Sequence, residues 1–274
     1  MYAALGRHLP DPKDYPEPPL AESSVLVDGG GEPYAELVAG ERRVVVDSRR
    51  ISPALKDAVV AIEDRRFYRH SGLDFRGIAR AAVVNVLSGT ISEGGSTLTQ
   101  QLIKNRFVDP AARDDRSFAR KWFEGALSWR LEKERTKREI LTDYLNTVYF
   151  GGGAYGAEAA SRTFFSEPAD ELDLPEAATL AGMVNLPGFY DPYSDPESVV
   201  ARRNVVLAAM LDVGYIDEGR YEEAKAAPLV LRPGAVLRAP EEFAPFVAAV
   251  RAEVARDYGE EALLRGGLRI ETTL

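Results

Sequence analysis

The spacing of apolar residues changes period near residue 50. Before it, apolar and polar positions alternate in SVLVD (24–28), PYAELV (33–38) and RRVVVD (42–47), with glycines at 29–31 and 40 between them. That alternation predicts three short strands in a small N-terminal β element. From Ser52-Pro53, an N-cap followed by a first-turn proline, the period becomes helical through ALKDAVVAIED. Further helical stretches are predicted at residues 75–87, 96–105, 117–134, 137–148, 154–163, 175–184, 196–213 and 241–258. The fold class is therefore mostly α, and the end, GGLRIETTL, reads as one more strand.

No apolar run approaches the ~20 residues that span a bilayer, and the start, MYAALGRHLPDPKDYPEPP, lacks the apolar core of a signal peptide. Its prolines, from Pro10 to Pro19, suit an extended linker and imply that something precedes it in the natural protein. With 274 residues, 45% of them hydrophobic, the chain has material for a sizeable core. A net charge of −9 argues against a general nucleic-acid surface. The absence of cysteine and the presence of only His8 and His70 leave carboxylate oxygens, suited to a hard cation such as magnesium, as the ligands for any metal.

Three segments carry chemical potential. EDRRFYRHSG (63–72) follows an apolar helix, so Glu63 would feel the negative end of the helix dipole and, if buried, hold its proton more tightly, as a general base should. The same ten residues fit equally well a solvated helix end where Glu63 and Asp64 pair with the neighbouring arginines, and His70 alone is more often structural than catalytic. GGSTLTQQLIKN (94–105) places Thr97, Gln101 and Lys104 on one helical face with Gln100 beside them. Amides, hydroxyls and one lysine suit a sugar or a phosphate better than an ordinary surface, which favours Glu and Lys over paired glutamines. In the third segment, Arg116, Arg120 and Glu124 recur every four residues with Lys121 alongside, a cationic strip that could seat a diphosphate or could amount to a surface ion pair. Tyr144-Leu145-Asn146, the Gly151-Gly152-Gly153 turn and Arg202-Arg203-Asn204 read as mainly architectural.

Taken in order, EDRRFYRHSG, GGSTLTQQLIKN, RKWFE, KREILTDYLNTVYFGGGAYG and RRNVVL resemble the five motifs of glycosyltransferase family 51, the peptidoglycan glycosyltransferases of class A penicillin-binding proteins and monofunctional enzymes. The match covers roughly residues 45–230. The resemblance implies a lysozyme-like fold with a large lobe and a membrane-dipping jaw lobe at about 76–112, where FRGIARAAVVNVLSG supplies an apolar stretch flanked by arginines. It implies that Glu63 takes the proton from the C4 hydroxyl of the acceptor lipid II, whose oxygen attacks C1 of the lipid-linked donor with inversion and release of undecaprenyl diphosphate.

By the same resemblance Lys104, Arg116, Arg120 and Lys121 stabilise the departing diphosphate, and Glu124 orients the donor or helps it hold Mg2+ or Mn2+. Ser96, Thr97, Gln100, Gln101 and Asn105 line the groove, Asp64, Phe67 and His70 belong to the first motif's share of it, and Lys137, Arg202 and Arg203 support it. Moenomycin is the implied donor-site inhibitor, and the growing glycan, the outer leaflet of the cytoplasmic membrane and other cell-wall synthesis proteins are the implied partners. Two departures stand out: Asn185 where many relatives have lysine, and a long segment from Arg106 to Asp115. The expected organisation is a linker over 1–22 after a missing membrane anchor, a glycosyltransferase domain over 23–235, and a helix over 236–274 leading toward a missing transpeptidase domain. The rival reading is a lysozyme-like or lytic-transglycosylase enzyme, which needs no basic strip for a diphosphate; a scaffold that binds lipid-linked glycan without turnover would not need both Glu63 and Glu124.

Overall fold

A computed structural model describes residues 19–88, 95–108, 117–184, 189–232 and 239–274. Arg116, Asn185 and most of the segments expected as the N-terminal linker and the long insertion lie outside them. The chain is mostly helical. Strands β1 (Ser24–Val27), β2 (Pro33–Leu37) and β3 (Arg42–Arg43) come first, followed by helices α1 (Pro53–Glu63), α2 (Phe75–Ser88), α3 (Leu98–Phe107), α4 (Phe118–Glu134) and α5 (Lys137–Thr147). Then come β4 (Tyr149–Gly151), β5 (Ala154–Tyr155), α6 (Ala157–Phe165), α7 (Leu174–Met183), α8 (Pro196–Asp212), α9 (Glu218–Ala226), α10 (Ala244–Tyr258), α11 (Glu260–Arg265) and β6 (Arg269–Glu271). Among the described residues no helix is long and apolar enough to cross a membrane.

Helix α1 is the centre of the larger core. Ser52 caps it by accepting the Ala54 amide, and its hydroxyl donates to the Leu172 carbonyl, tying the cap to the segment ahead of α7. Leu55, Ala58, Val59, Val60 and Ala61 are buried, and the helix packs against α7 and α8. Burying each of its larger side chains is worth roughly 1.5–3 kcal/mol, so the end of α1 is held rigidly where Glu63 emerges.

The β element differs from the sequence expectation. Strands β1 and β2 pair antiparallel, but the third strand of their sheet is β6, which runs parallel to β1 with Val25 opposite Arg269. Leu26, Ala35, Leu37 and Leu263 form a second, smaller core there, under α10 and α11. The run RRVVVD contributes only β3, in a separate sheet ordered β3-β5-β4. Beyond Arg43 its backbone is satisfied otherwise: Asn146 Oδ1 accepts the Val46 amide at 3.1 Å and Asn146 Nδ2 donates to the Val46 carbonyl at 2.9 Å. The helix expected from residue 154 starts instead at Ala157, because Gly156 (φ 84°) breaks the helical conformation and its amide bonds the Val148 carbonyl.

Candidate active site

Glu63 is the last residue of α1, where the helix stops at Asp64. Its Oε2 accepts from Gln101 Nε2 at 2.9 Å, while Oε1 is shielded from solvent and has no hydrogen-bond partner. Burial raises the carboxyl's proton affinity above the usual carboxylate range; the charge of Asp64 adds to the effect, and the Gln101 hydrogen bond and Arg202 oppose it.

Two cavities meet at this residue. One, of about 290 Å³, is lined by Asp64, Arg66, Asp74, Thr97 and Arg202 among others. The second, of about 410 Å³, is lined by Gln101, Lys104, Asn105, Arg120, Lys121 and Glu124 among others. Ile62, Glu63 and Ser96 belong to both walls.

Asp64 does a different job from its neighbour. Its two oxygens lie 2.9 and 3.0 Å from His70 Nε2, and Oδ2 also accepts the Leu98 amide at 3.1 Å, so the first motif is fastened to the start of the second. There Thr97 is the N-cap of α3: its hydroxyl oxygen accepts the Gln100 amide, and Gln100 Oε1 accepts the Thr97 amide in return, a reciprocal capping box. The Thr97 hydroxyl also donates to the Gly72 carbonyl at 2.7 Å. Thr97 and Gln100 are therefore committed to building the helix start, and Gln101 alone of the expected stripe bonds Glu63.

The basic strip is folded onto its own acid. Ser117 caps α4, and within the next turn Arg120 Nη1 pairs with Glu124 Oε1 while Lys121 Nζ lies 2.8 Å from Glu124 Oε2. Lys121 also reaches Ser96 Oγ at 3.1 Å, joining the second and third motifs in the wall of the larger cavity. Glu124 is fully buried, with both oxygens engaged by cations. Among the described residues no three potential metal-ligating side chains converge.

Four expected site residues sit behind these walls. Phe67 is buried in the core, and His70 packs edge-on against it. Lys137 Nζ lies 4.3 Å over the Phe67 ring and 2.7 Å from Glu132 Oε2. Glu132 also accepts the Thr99 hydroxyl, so this buried cluster joins α3, α4 and the start of α5. Arg203 is buried and donates to the carbonyls of Lys225 and Ala227, closing the end of α9; Arg202 turns the other way, donates to the Gly182 carbonyl and lines the smaller cavity. Tyr144 is a polar contact that sequence reasoning missed: its hydroxyl donates to Gln101 Oε1 at 3.0 Å from inside the core. A tyrosine on an apolar helix carries no sequence signal that separates this role from packing.

Residues 30–211 match the family model described as Transglycosylase. The chain is 38% identical to penicillin-binding protein 1A of Aquifex aeolicus over 268 residues, which is 98% of this chain and 36% of that protein. It is likewise 38% identical to penicillin-binding protein 1A of Escherichia coli, over all of this chain and 31% of the relative. The crystal structure of penicillin-binding protein 1A from Haemophilus influenzae matches 94% of this chain and 27% of its own with a TM-score of 0.51 at 24% identity, a likeness of fold. The chain thus spans about a third of the length of these relatives.

Proposed function

The chain belongs to the transglycosylase family, the peptidoglycan glycosyltransferases of cell-wall synthesis, and on that premise we propose that it polymerises lipid II into β-1,4-linked glycan with Glu63 as general base. The observation that carries the assignment is the unpartnered Oε1 of Glu63 at the junction of two cavities, on a carboxyl whose proton affinity is raised by burial. A carboxylate so placed is a stronger base than an exposed one, and its unpartnered oxygen belongs to a residue that lines both cavities.

The larger cavity suits the donor. Lys104, Arg120 and Lys121 offer positive charge beside Glu63, where a diphosphate would develop negative charge as its bond to the sugar breaks. The acceptor enters from the smaller cavity, presenting its C4 hydroxyl to Glu63. The hydroxyl proton passes to Oε1, the oxygen forms the new bond to C1, and undecaprenyl diphosphate leaves from the opposite face, so the α-linked donor becomes a β-linked product. Glu124, with both oxygens held by Arg120 and Lys121, positions those cations; its committed oxygens favour neutralisation by side chains over a divalent cation held at Glu124.

The substrate's lipid tails put the reaction at the outer leaflet of the cytoplasmic membrane. Exposed Phe75 and Ile78 on α2, next to Arg76 and Arg80 in sequence, suit that placement. The decisive experiment is Glu63→Gln in a lipid II polymerisation assay. A fall of roughly a hundredfold or more, with thermal stability and moenomycin binding kept, is the expected result; near-normal turnover would sink the assignment.

A further inference from the structure

We infer that Tyr144 is a positioning residue for this reaction, acting through Gln101 to fix the Glu63 carboxylate with one oxygen engaged and the other left open. This deepens the reading of Glu63 as base and rests on it. The chain of bonds crosses three helices: the Tyr144 hydroxyl on α5 donates to Gln101 Oε1 at 3.0 Å, and Gln101 Nε2 on α3 donates to Glu63 Oε2 at 2.9 Å, at the end of α1.

The direction of these bonds is fixed by their chemistry. A carboxylate only accepts, so the amide must turn its NH2 toward Glu63 and its carbonyl toward Tyr144, which must then donate. Tyr144 is completely buried, and both burial and the nearby Glu63 charge keep its hydroxyl protonated and hence a donor. A phenylalanine would fill the same core volume, so the hydroxyl's contribution is orientation. Without it, Gln101 could rotate its carbonyl toward the carboxylate and abandon Oε2.

Two consequences follow for the base. The proton of the acceptor goes to Oε1, because Oε2 is already occupied. Gln101 stabilises the ionised carboxylate and so restrains the rise caused by burial; the other charges acting on Glu63 are Arg202 from α8, which also favours ionisation, and Asp64, which disfavours it. Gln101 is then bonded to protein at both ends of its amide and serves the base more directly than the sugar.

The test compares Tyr144→Phe, Gln101→Ala and the double variant. Tyr144→Phe is expected to lower kcat about tenfold, part of the hundredfold or more that a general base supplies, with KM for lipid II little changed and the acidic limb of the pH profile moved to higher pH. The double variant should be no slower than Gln101→Ala alone, since both break one chain. Carbon-13 titration of the Glu63 carboxyl should show the same upward shift in either single variant; if Tyr144→Phe folds poorly, Tyr144→Leu, which also lacks the hydroxyl, carries the measurement with Gln101→Ala as the reference. An unchanged kcat and unchanged titration, or independent multiplicative losses in the double variant, would overturn the inference. An active Glu63→Gln enzyme would refute the base assignment instead, while the titration would still report on the relay.

Discussion

Asp64 Oδ2 accepts the backbone N–H of Leu98 at 3.1 Å, which binds the residue beside Glu63 to the first turn of α3. The same carboxylate faces His70 Nε2, and its charge lies against the positive end of the α3 dipole. Asp64→Ala would leave the buried Leu98 amide and the His70 ring without an acceptor. A loss of about 2–4 kcal/mol is expected, read as a lower urea midpoint. Asp64→Asn, which keeps an acceptor for Leu98, should lose distinctly less; equal losses would show that the Leu98 bond contributes nothing.

Gly72 makes a second prediction at the same junction. Its φ is 81°, and a Cβ there would sit 2.6 Å from the Trp129 amide nitrogen and 2.7 Å from Trp129 Cα, backbone atoms of α4 that cannot swing aside. Gly72→Ala therefore combines an unfavourable left-handed conformation with a clash, and the Thr97 hydroxyl bond to the Gly72 carbonyl is disturbed with it. We expect at least roughly 2 kcal/mol of destabilisation, seen as a reduced denaturant midpoint at unchanged slope. A variant as stable as the parent would mean that α4 does not press on this turn.

How much of this was legible in the sequence depended on the range of the interaction. The Ser52 cap and the helix after it follow from local chemistry, as does the helix expected over 117–134, which begins one residue later because Ser117 is its cap. The β1–β6 pairing was not legible, because Val25 and Arg269 are brought together by the helices between them and strand alternation does not name a partner. In the site, the order of motifs identified the region, but the division of labour needed coordinates. Thr97 and Gln100 line the two cavities and at the same time form the capping box of α3, a second duty the motif does not announce; Arg203 has the same local sequence context as Arg202 and turns to the α9 carbonyls. The helices α9 and α11, short and largely charged, gave too little apolar period to be seen.

The last prediction concerns pH and a site outside the two cavities. Glu167 and Glu176 bring their carboxyl groups together under Arg232, which lies 2.8 Å from Glu167 Oε2 and 3.1 Å from Glu176 Oε1. Burial, then the contact with Glu167, pushes the Glu176 carboxyl up to about 7 from its ordinary 4.5, and the charge of Asp173 acts in the same direction. The folded protein thus binds a proton more tightly than the unfolded chain does. The stability this contributes is fully present below pH 4.5 and is lost as pH rises through about 7, with a negative slope of stability against pH between the two values. Glu167→Gln replaces one acceptor by an amide that can donate to Glu176, which lowers its proton affinity and shrinks the slope; the burial contribution remains, so the slope should not vanish. Comparing denaturation free energies of parent and variant at pH 5 and pH 8 checks this, and an identical difference in both proteins would show that Glu167 does not hold the shared proton.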